Sequence, residues 1–514
     1  MESQEAGHLS WTSKSTFARL PEKPGLIVLF LALCGLVLRL PNLGKGFWLD
    51  EVLYSTSYWL KSLYKIWSLF LNLPSAQLYR VLLYFWIHIF GEAEPLVRLP
   101  SLLGGISSIV LTYEIAKAYC SPRAALLVGL LLCFSPAHVW YSQDATPYAV
   151  TLFFYLTTVL AWLRLREMPS HRGWYAVYLG AFLATVFAHY DAAILLLPLT
   201  LLSLTLERPL RRRIIVAHAV VVLSLALALS TKYMYGQVKT GLEFLRPFTL
   251  FEWWMLFFNW FLQGNALWTV SPYGADLGYL LREPVFLVCQ VFFLILFVRG
   301  LLPRQGQNTW TQTWELSLFI FSFPLLMLLM TAAGYRHLYI ERYLLPVLPF
   351  FLIALVRGVA SFSHPRAVLA CSLAAGAIGV ASYGALLSKS DKWTVYKQNP
   401  DWRGAARYLS TQGVPPKQAV ILATISPVEL VYYFPREGNP PYPKTMLYNA
   451  KLVEFMVARN RMKAFYLLRN NYWAAGVDDV LRRLQDDKRL ALTNSQSFKG
   501  LEIYTFTRQG AAVD

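Results

Sequence analysis

Apolar runs fill the chain from residue 25 to residue 387, separated by short polar breaks. Many are long enough to cross a bilayer, which takes ~20 residues of helix. Backbone groups in lipid must be satisfied within the segment, so the pattern predicts a polytopic α-helical membrane protein. Spans are predicted near 25–41, 99–117, 124–140 and 148–163, then as a hairpin with its tip at His189-Tyr190-Asp191. More follow near 214–231, 284–298, 314–331, 343–356 and 367–387, giving about 11 spans. Leu78 to Phe90 is apolar and aromatic but short, and reads as an interfacial helix, with a true span as the alternative. A second large loop, 232–283, carries Phe251, Trp253, Trp254, Phe257, Phe258, Trp260, Phe261 and Trp268, a composition suited to the membrane interface.

From Lys389 onward charge, Pro and Asn become common. Ala419–Ala423, Lys463–Leu468 and Leu501–Phe506 read as strands; Trp402–Leu409, Ala450–Val457 and Val477–Leu484 read as helices. The division is a cytoplasmic tail (1–24), a membrane domain (25–388) and a small exterior α/β domain (389–514), large enough for one core.

Composition agrees with the pattern: 56% of residues are apolar and only 15% charged. The net charge of +18 does not point to nucleic acid, because its basic residues cluster between spans. Arg164, Arg166 and Arg172 form one cluster and Arg208, Arg211, Arg212 and Arg213 another, which marks those loops as cytoplasmic. An odd number of spans then leaves the C-terminus outside. The first segment lacks a small-x-small cleavage site and reads as a retained span rather than a signal peptide. Five cysteines, all in or beside apolar segments, give no disulfide framework and no zinc spacing.

Candidate chemistry gathers on the exterior edge. Gly46-Phe47-Trp48-Leu49-Asp50-Glu51 follows the first span, and an acidic pair at a membrane edge is costly unless solvated, paired or used. Asp50 and Glu51 suit a helix start, where the dipole favours them. A carboxylate fixed there can also serve as a general base. Asp144, with Tyr141 and Gln143 beside it, sits on another exterior turn; it reads either as a polar turn or as a second cavity carboxylate. His189 and Asp191 mark a third, where both are also at ease as interfacial residues. A divalent metal on Asp50, Asp144 and His189 is compatible by residue type, but no ligand spacing supports it, and no metal site is assigned. Arg336, His337 and Arg342 precede a late span on the exterior side, against the positive-inside tendency; arginines held there suit an anionic partner, a lipid phosphate or a carboxylate such as Glu341.

Phe47-Trp48-Leu49-Asp50-Glu51, Val97-Arg98-Leu99-Pro100-Ser101, Ser135-Pro136 with Trp140-Tyr141-Ser142-Gln143-Asp144, Arg342-Tyr343-Leu344-Leu345-Pro346 and Asn399-Pro400-Asp401-Trp402-Arg403 occur in this order. With these segments the chain resembles the GT-C-type integral-membrane glycosyltransferases, most closely the bacterial family 39 group of protein O-mannosyltransferases and aminoarabinose transferases. The resemblance implies a sugar donor on a polyprenyl phosphate and transfer, outside the cytoplasm of an inner or plasma membrane, to a lipid, glycan or protein. It implies Asp50 as catalytic base, Asp144 as a second cavity carboxylate and Arg342 near the donor phosphate. Where relatives carry His-Pro-Pro or Lys-Pro-Pro, this chain reads Asn72-Leu73-Pro74; where they carry Ala-Arg after the second acid, it reads Ala145-Thr146-Pro147. A polyprenyl monophosphate leaves with little charge, so arginines can stabilise it, and one base suits an in-line, inverting displacement. The rival readings are a flippase for a lipid-linked sugar and a non-catalytic scaffold of the same fold. The near absence of charge within the spans favours an interfacial enzyme over the former.

Overall fold

The structure is a computed structural model of the chain. It describes residues 24–55, 62, 76–234, 259–261, 266–268, 283–303, 309–334, 341–388, 400–414, 418–423, 428–434, 444–447, 462–470 and 476–509. Most of the aromatic loop 232–283, the expected helix 450–457, and Arg336 and His337 lie outside them.

The membrane part runs through α1 (Pro24–Val37), α2 (Leu49–Ser55), α3 (Gln77–Phe90), α4 (Glu94–Ala116), α5 (Pro122–Phe134), α6 (Pro136–Ser142), α7 (Tyr148–Glu167) and α8 (Arg172–Ala188). After a 3₁₀ run at Tyr190–Leu195 come α9 (Leu196–Ser203), α10 (Arg208–Met234), α11 (Pro284–Leu301) and α12 (Thr309–Ala332). A second 3₁₀ run, Glu341–Val347, leads into α13 (Leu348–Val359), and α14 (Pro365–Leu387) follows. Among the described residues, six helices are long and apolar enough to cross a membrane, and seven if α5 and α6, bent by 62°, form one span. The bend falls at Ser135-Pro136, where the proline cannot donate to the preceding turn. The expected span 124–140 is therefore a broken one, and its short second half carries the chain to Asp144.

Helix α3 has 14 residues, about 21 Å at ~1.5 Å per residue and short of a ~30 Å hydrocarbon core. It buries Gln77, Tyr79, Arg80 and Leu83 and leaves Leu82, Phe85 and Ile89 exposed, the amphipathic division of an interfacial helix. The segment Arg342–Val359 is 89% buried and forms the centre of the bundle, whereas α14 is 11% buried and turns Leu369, Leu373 and Val380 outward. Close crossings are built on glycine. A Cβ on Gly300 or Gly358 would strike the backbone of the facing helix, so α11 and α13 meet backbone to backbone. A Cβ on Gly105 would collide with Ser142, so α4 lies directly against the end of α6. That contact sets the position of the turn after α6.

The C-terminal α/β unit holds α15 (Trp402–Ser410), β1 (Ala419–Ala423), α16 (Val428–Tyr433), β2 (Lys444–Leu447), β3 (Ala464–Asn470), α17 (Val477–Asp486), β4 (Leu490–Phe498) and β5 (Leu501–Arg508). The sheet order is β2-β1-β3-β5-β4. Strand β1 lies parallel to β2 and β3, and its five residues are all buried, as a central parallel strand requires. Strand β5 pairs antiparallel with β3 and with β4, and Gly500, at φ 74°, makes the tight β4–β5 turn. The expected strands and the helices at 402–409 and 477–484 appear within a residue or two. Strands β2 and β4 and helix α16 were not expected. Strand β4 is an edge strand with exposed Thr493 to Ser497, so its side chains carry no alternation to read.

Candidate active site

Helix α2 starts where the chain leaves α1 and turns back, and it presents two carboxylates with different fates. Glu51 is fully buried and saturated. The Arg98 guanidinium from α4 grips it with both arms, Nε to Oε1 and Nη2 to Oε2, each at 2.7 Å. The backbone N–H of Ala145 donates to Oε1 at 2.9 Å and that of Trp48 to Oε2 at 3.3 Å. Arg98 also donates to the carbonyls of Leu43 and Lys45, both at 2.6 Å, and of Gly46 at 3.0 Å. One ion pair thus ties three segments together: the 43–48 loop, α4 and the turn after α6. Burial opposes ionisation of Glu51, but the Arg98 charge and its hydrogen bonds, with help from Lys45, outweigh it and hold the carboxyl below its ordinary value.

Asp50, the preceding residue, points the other way and is partly exposed. Its Oδ2 lies 3.4 Å from Nη1 of Arg342, long for a charge-assisted hydrogen bond. Arg342 keeps a buried Nε with no hydrogen-bond partner among the described residues, and its guanidinium carbon is 5.5 Å from the centre of the Tyr148 ring. Tyr148 in turn meets Tyr141 at 5.2 Å and His189 at 5.5 Å between ring centroids. Asp50, Arg342, Tyr148, Tyr141 and His189 therefore form one continuous rim.

Asp144 lies behind that rim, fully buried. It accepts from the indole N–H of Trp48 at 2.9 Å and from the Thr146 hydroxyl at 3.2 Å. Burial and the neighbouring Glu51 charge push its carboxyl well above the usual range, against the pull of Lys45 and the Trp48 hydrogen bond. Lys45 packs its ammonium 3.7 Å from the centre of the Trp140 ring, and its buried Nζ has no hydrogen-bond partner among the described residues. Burial and the Arg98 charge bring Lys45 down to about 8, partly offset by Glu51 and Asp144.

The other candidates are placed differently. Gln143 spends its amide on the backbone carbonyls of Arg39, at 2.8 Å, and Pro41, which fastens the end of α1. His189 faces Asp191, with Nδ1 to Oδ2 at 3.6 Å, and stacks edge-on against Tyr343. No group of three His, Cys, Asp or Glu side chains that could hold a metal occurs among the described residues, so Asp50, Asp144 and His189 are not brought together as ligands. Sequence reasoning missed Arg98 and Lys45 as site residues. Arg98 carried a signal: an arginine inside an apolar helix needs a buried anion, though the sequence does not say which of the nearby acids supplies it.

The C-terminal unit also reaches this region. Helix α16 packs on α2, and its buried Glu429 is pushed up to about 8 by burial and then by the charge of Asp50.

In fold the chain is similar to solved membrane glycosyltransferase structures. A family model described as dolichyl-phosphate-mannose-protein mannosyltransferase matches residues 77–235, which run from α3 through α10. Among solved structures the chain is similar to ArnT from Cupriavidus metallidurans in the apo state, at 13% identity and a TM-score of 0.54, with 94% of this chain and 97% of that one covered. ArnT from the same organism bound to undecaprenyl phosphate gives 12% identity and a TM-score of 0.55 over the same shares. The apo oligosaccharyltransferase of Archaeoglobus fulgidus gives 12% identity and a TM-score of 0.50, with 87% and 69% covered. No curated protein matches by sequence.

Proposed function

We propose that the protein transfers a sugar from a polyprenyl-phosphate donor to a hydroxyl-bearing lipid, glycan or protein on the extracytoplasmic side of the membrane, with inversion. The observation that carries this is the partly exposed Asp50 facing Arg342 at 3.4 Å on an aromatic rim, backed by the buried Glu51–Arg98 pair. A base and a phosphate-binding cation side by side at a membrane edge suit a donor that lies in the bilayer and an acceptor that arrives from water. The binding of undecaprenyl phosphate by the structurally similar ArnT supports the donor class.

In the reaction Asp50 takes the proton of the acceptor hydroxyl as its oxygen attacks the anomeric carbon. The bond from that carbon to the phosphate oxygen breaks, and the polyprenyl phosphate departs against Arg342. Asp144, accepting from the Trp48 indole, braces the loop behind the base. Glu51 and Arg98 act as positioning residues, because their hydrogen-bonding capacity is consumed within the protein.

The test is donor consumption in reconstituted vesicles. Wild-type protein and Asp50→Asn would be given a panel of sugar-loaded polyprenyl phosphates and an envelope extract, with products followed by mass spectrometry. Consumption by wild type, with a loss of at least about a hundredfold in Asp50→Asn, is expected for loss of a general base. Equal consumption by both would remove Asp50 from that role, and retention of anomeric configuration would refute the single displacement.

A further inference from the structure

The C-terminal α/β unit meets the catalytic loop through two adjacent tyrosines of α16. The Tyr433 hydroxyl, on α16, accepts the backbone N–H of Phe47 at 2.7 Å and bonds to Oε1 of Glu94 at 3.1 Å. Phe47 is fully buried and stands three residues before Asp50; Glu94 opens α4, the helix that supplies Arg98 one turn later. The fit is close, since a Cβ on Gly46 would lie 3.3 Å from the same hydroxyl oxygen. Beside it the Tyr432 ring meets Phe47 edge-on at 5.1 Å, while the Tyr432 hydroxyl bonds to the carbonyl of Glu92 at 2.7 Å. Two adjacent tyrosines thus anchor the same unit: the Tyr433 hydroxyl holds the turn that leads into α2, and the Tyr432 hydroxyl holds the carbonyl of Glu92 ahead of α4.

We infer that Tyr433 is a positioning residue for Asp50, so that the C-terminal unit is a working part of the active site and not only a docked appendage. Phe47 N–H sits in a dry environment, where losing its acceptor leaves an unpaired donor. The turn can recover a partner only by shifting, and a shift of Gly46 to Trp48 moves Asp50 relative to Arg342. Proximity effects fall steeply with such displacement, so the base loses reach without losing its chemistry. The inference rests on the transferase reading for its catalytic half and stands independently for its structural half.

Tyr433→Phe and Tyr432→Phe form a matched pair: each deletes one hydroxyl from the same interface and keeps the ring. Hydrogen exchange of the peptide spanning 46–55 and steady-state transfer kinetics would be measured on full-length protein in vesicles. Tyr433→Phe is expected to speed exchange of that peptide and to lower kcat about tenfold, with the donor KM within about twofold. Tyr432→Phe is expected to change neither. Unchanged exchange in Tyr433→Phe, or equal effects in both variants, would overturn the latch. Faster exchange with wild-type kcat would overturn its catalytic role. Faster exchange in a protein whose wild type consumes no donor would uphold the latch and sink the transferase reading instead.

Discussion

Removing Glu51 tests how the site is held in place. Glu51→Ala leaves Arg98 fully buried with no counter-charge, and the N–H groups of Ala145 and Trp48 lose an acceptor. Breaking one side of a buried ion pair costs about 3–5 kcal/mol. Arg98→Met removes the other side, leaves Glu51 buried without its arginine, and frees the carbonyls of Leu43, Lys45 and Gly46 from its grip. The double variant removes both members of the pair together, so its main cost is the lost backbone bonds, about 1 kcal/mol each. The double variant is therefore expected to be less destabilised than the two singles summed, with a coupling energy of about 3 kcal/mol. Thermal unfolding of detergent-purified protein, monitored by tryptophan fluorescence, gives the cycle. Turnover should stay low in all three variants, because none restores the geometry around Asp50. Additive destabilisation, or a single variant with wild-type turnover, would refute the view that this pair holds the base in place.

Glu429 makes stability depend on pH. Its ordinary value is 4.5 and its folded value about 8, so between the two the folded protein keeps a proton that the unfolded chain has released. Stability falls as pH rises through that window, and the full penalty, of order a few kcal/mol, is present above about 8. Glu429→Gln should match wild type near pH 4 and gain on it steadily toward pH 8.5; a pH-independent difference between their unfolding midpoints would contradict this. Gly105→Ala forces a methyl into Ser142 and so pushes the Asp144 turn away from α4. The cost should be about 1–3 kcal/mol of stability, together with reduced turnover, and an unchanged unfolding midpoint would show that α6 yields freely.

The long apolar helices and most of the C-terminal strands were legible because each is a local signal. Hydrophobic runs, a two-residue alternation and an abrupt rise in polarity all lie within short windows. Strand β4 was not legible, because an edge strand whose middle residues face water on both sides shows no two-residue alternation. Helix α16 was missed for a related reason: its six residues gain their stability from packing on α2, not from propensity. The bend in the third predicted span was written in Ser135-Pro136, but its consequence, a short helix delivering Asp144, depended on where α4 lay.

By itself the sequence determined that the chain is rich in membrane-length apolar helices, and it marked Asp50, Glu51, Asp144 and Arg342 as candidates, since ionisable groups at a membrane edge are costly unless solvated, paired or used. Tertiary structure alone decided which acid does what. Asp50 and Glu51 are neighbours with the same chemistry at the same helix start, and nothing local separates them. Arg98, 47 residues further on, saturates one, while Arg342, nearly 300 residues away, faces the other at 3.4 Å. Coulombic and hydrogen-bonding energies depend on distance in space, so the difference between a saturated carboxylate and a partly exposed one arises only once the helices have packed.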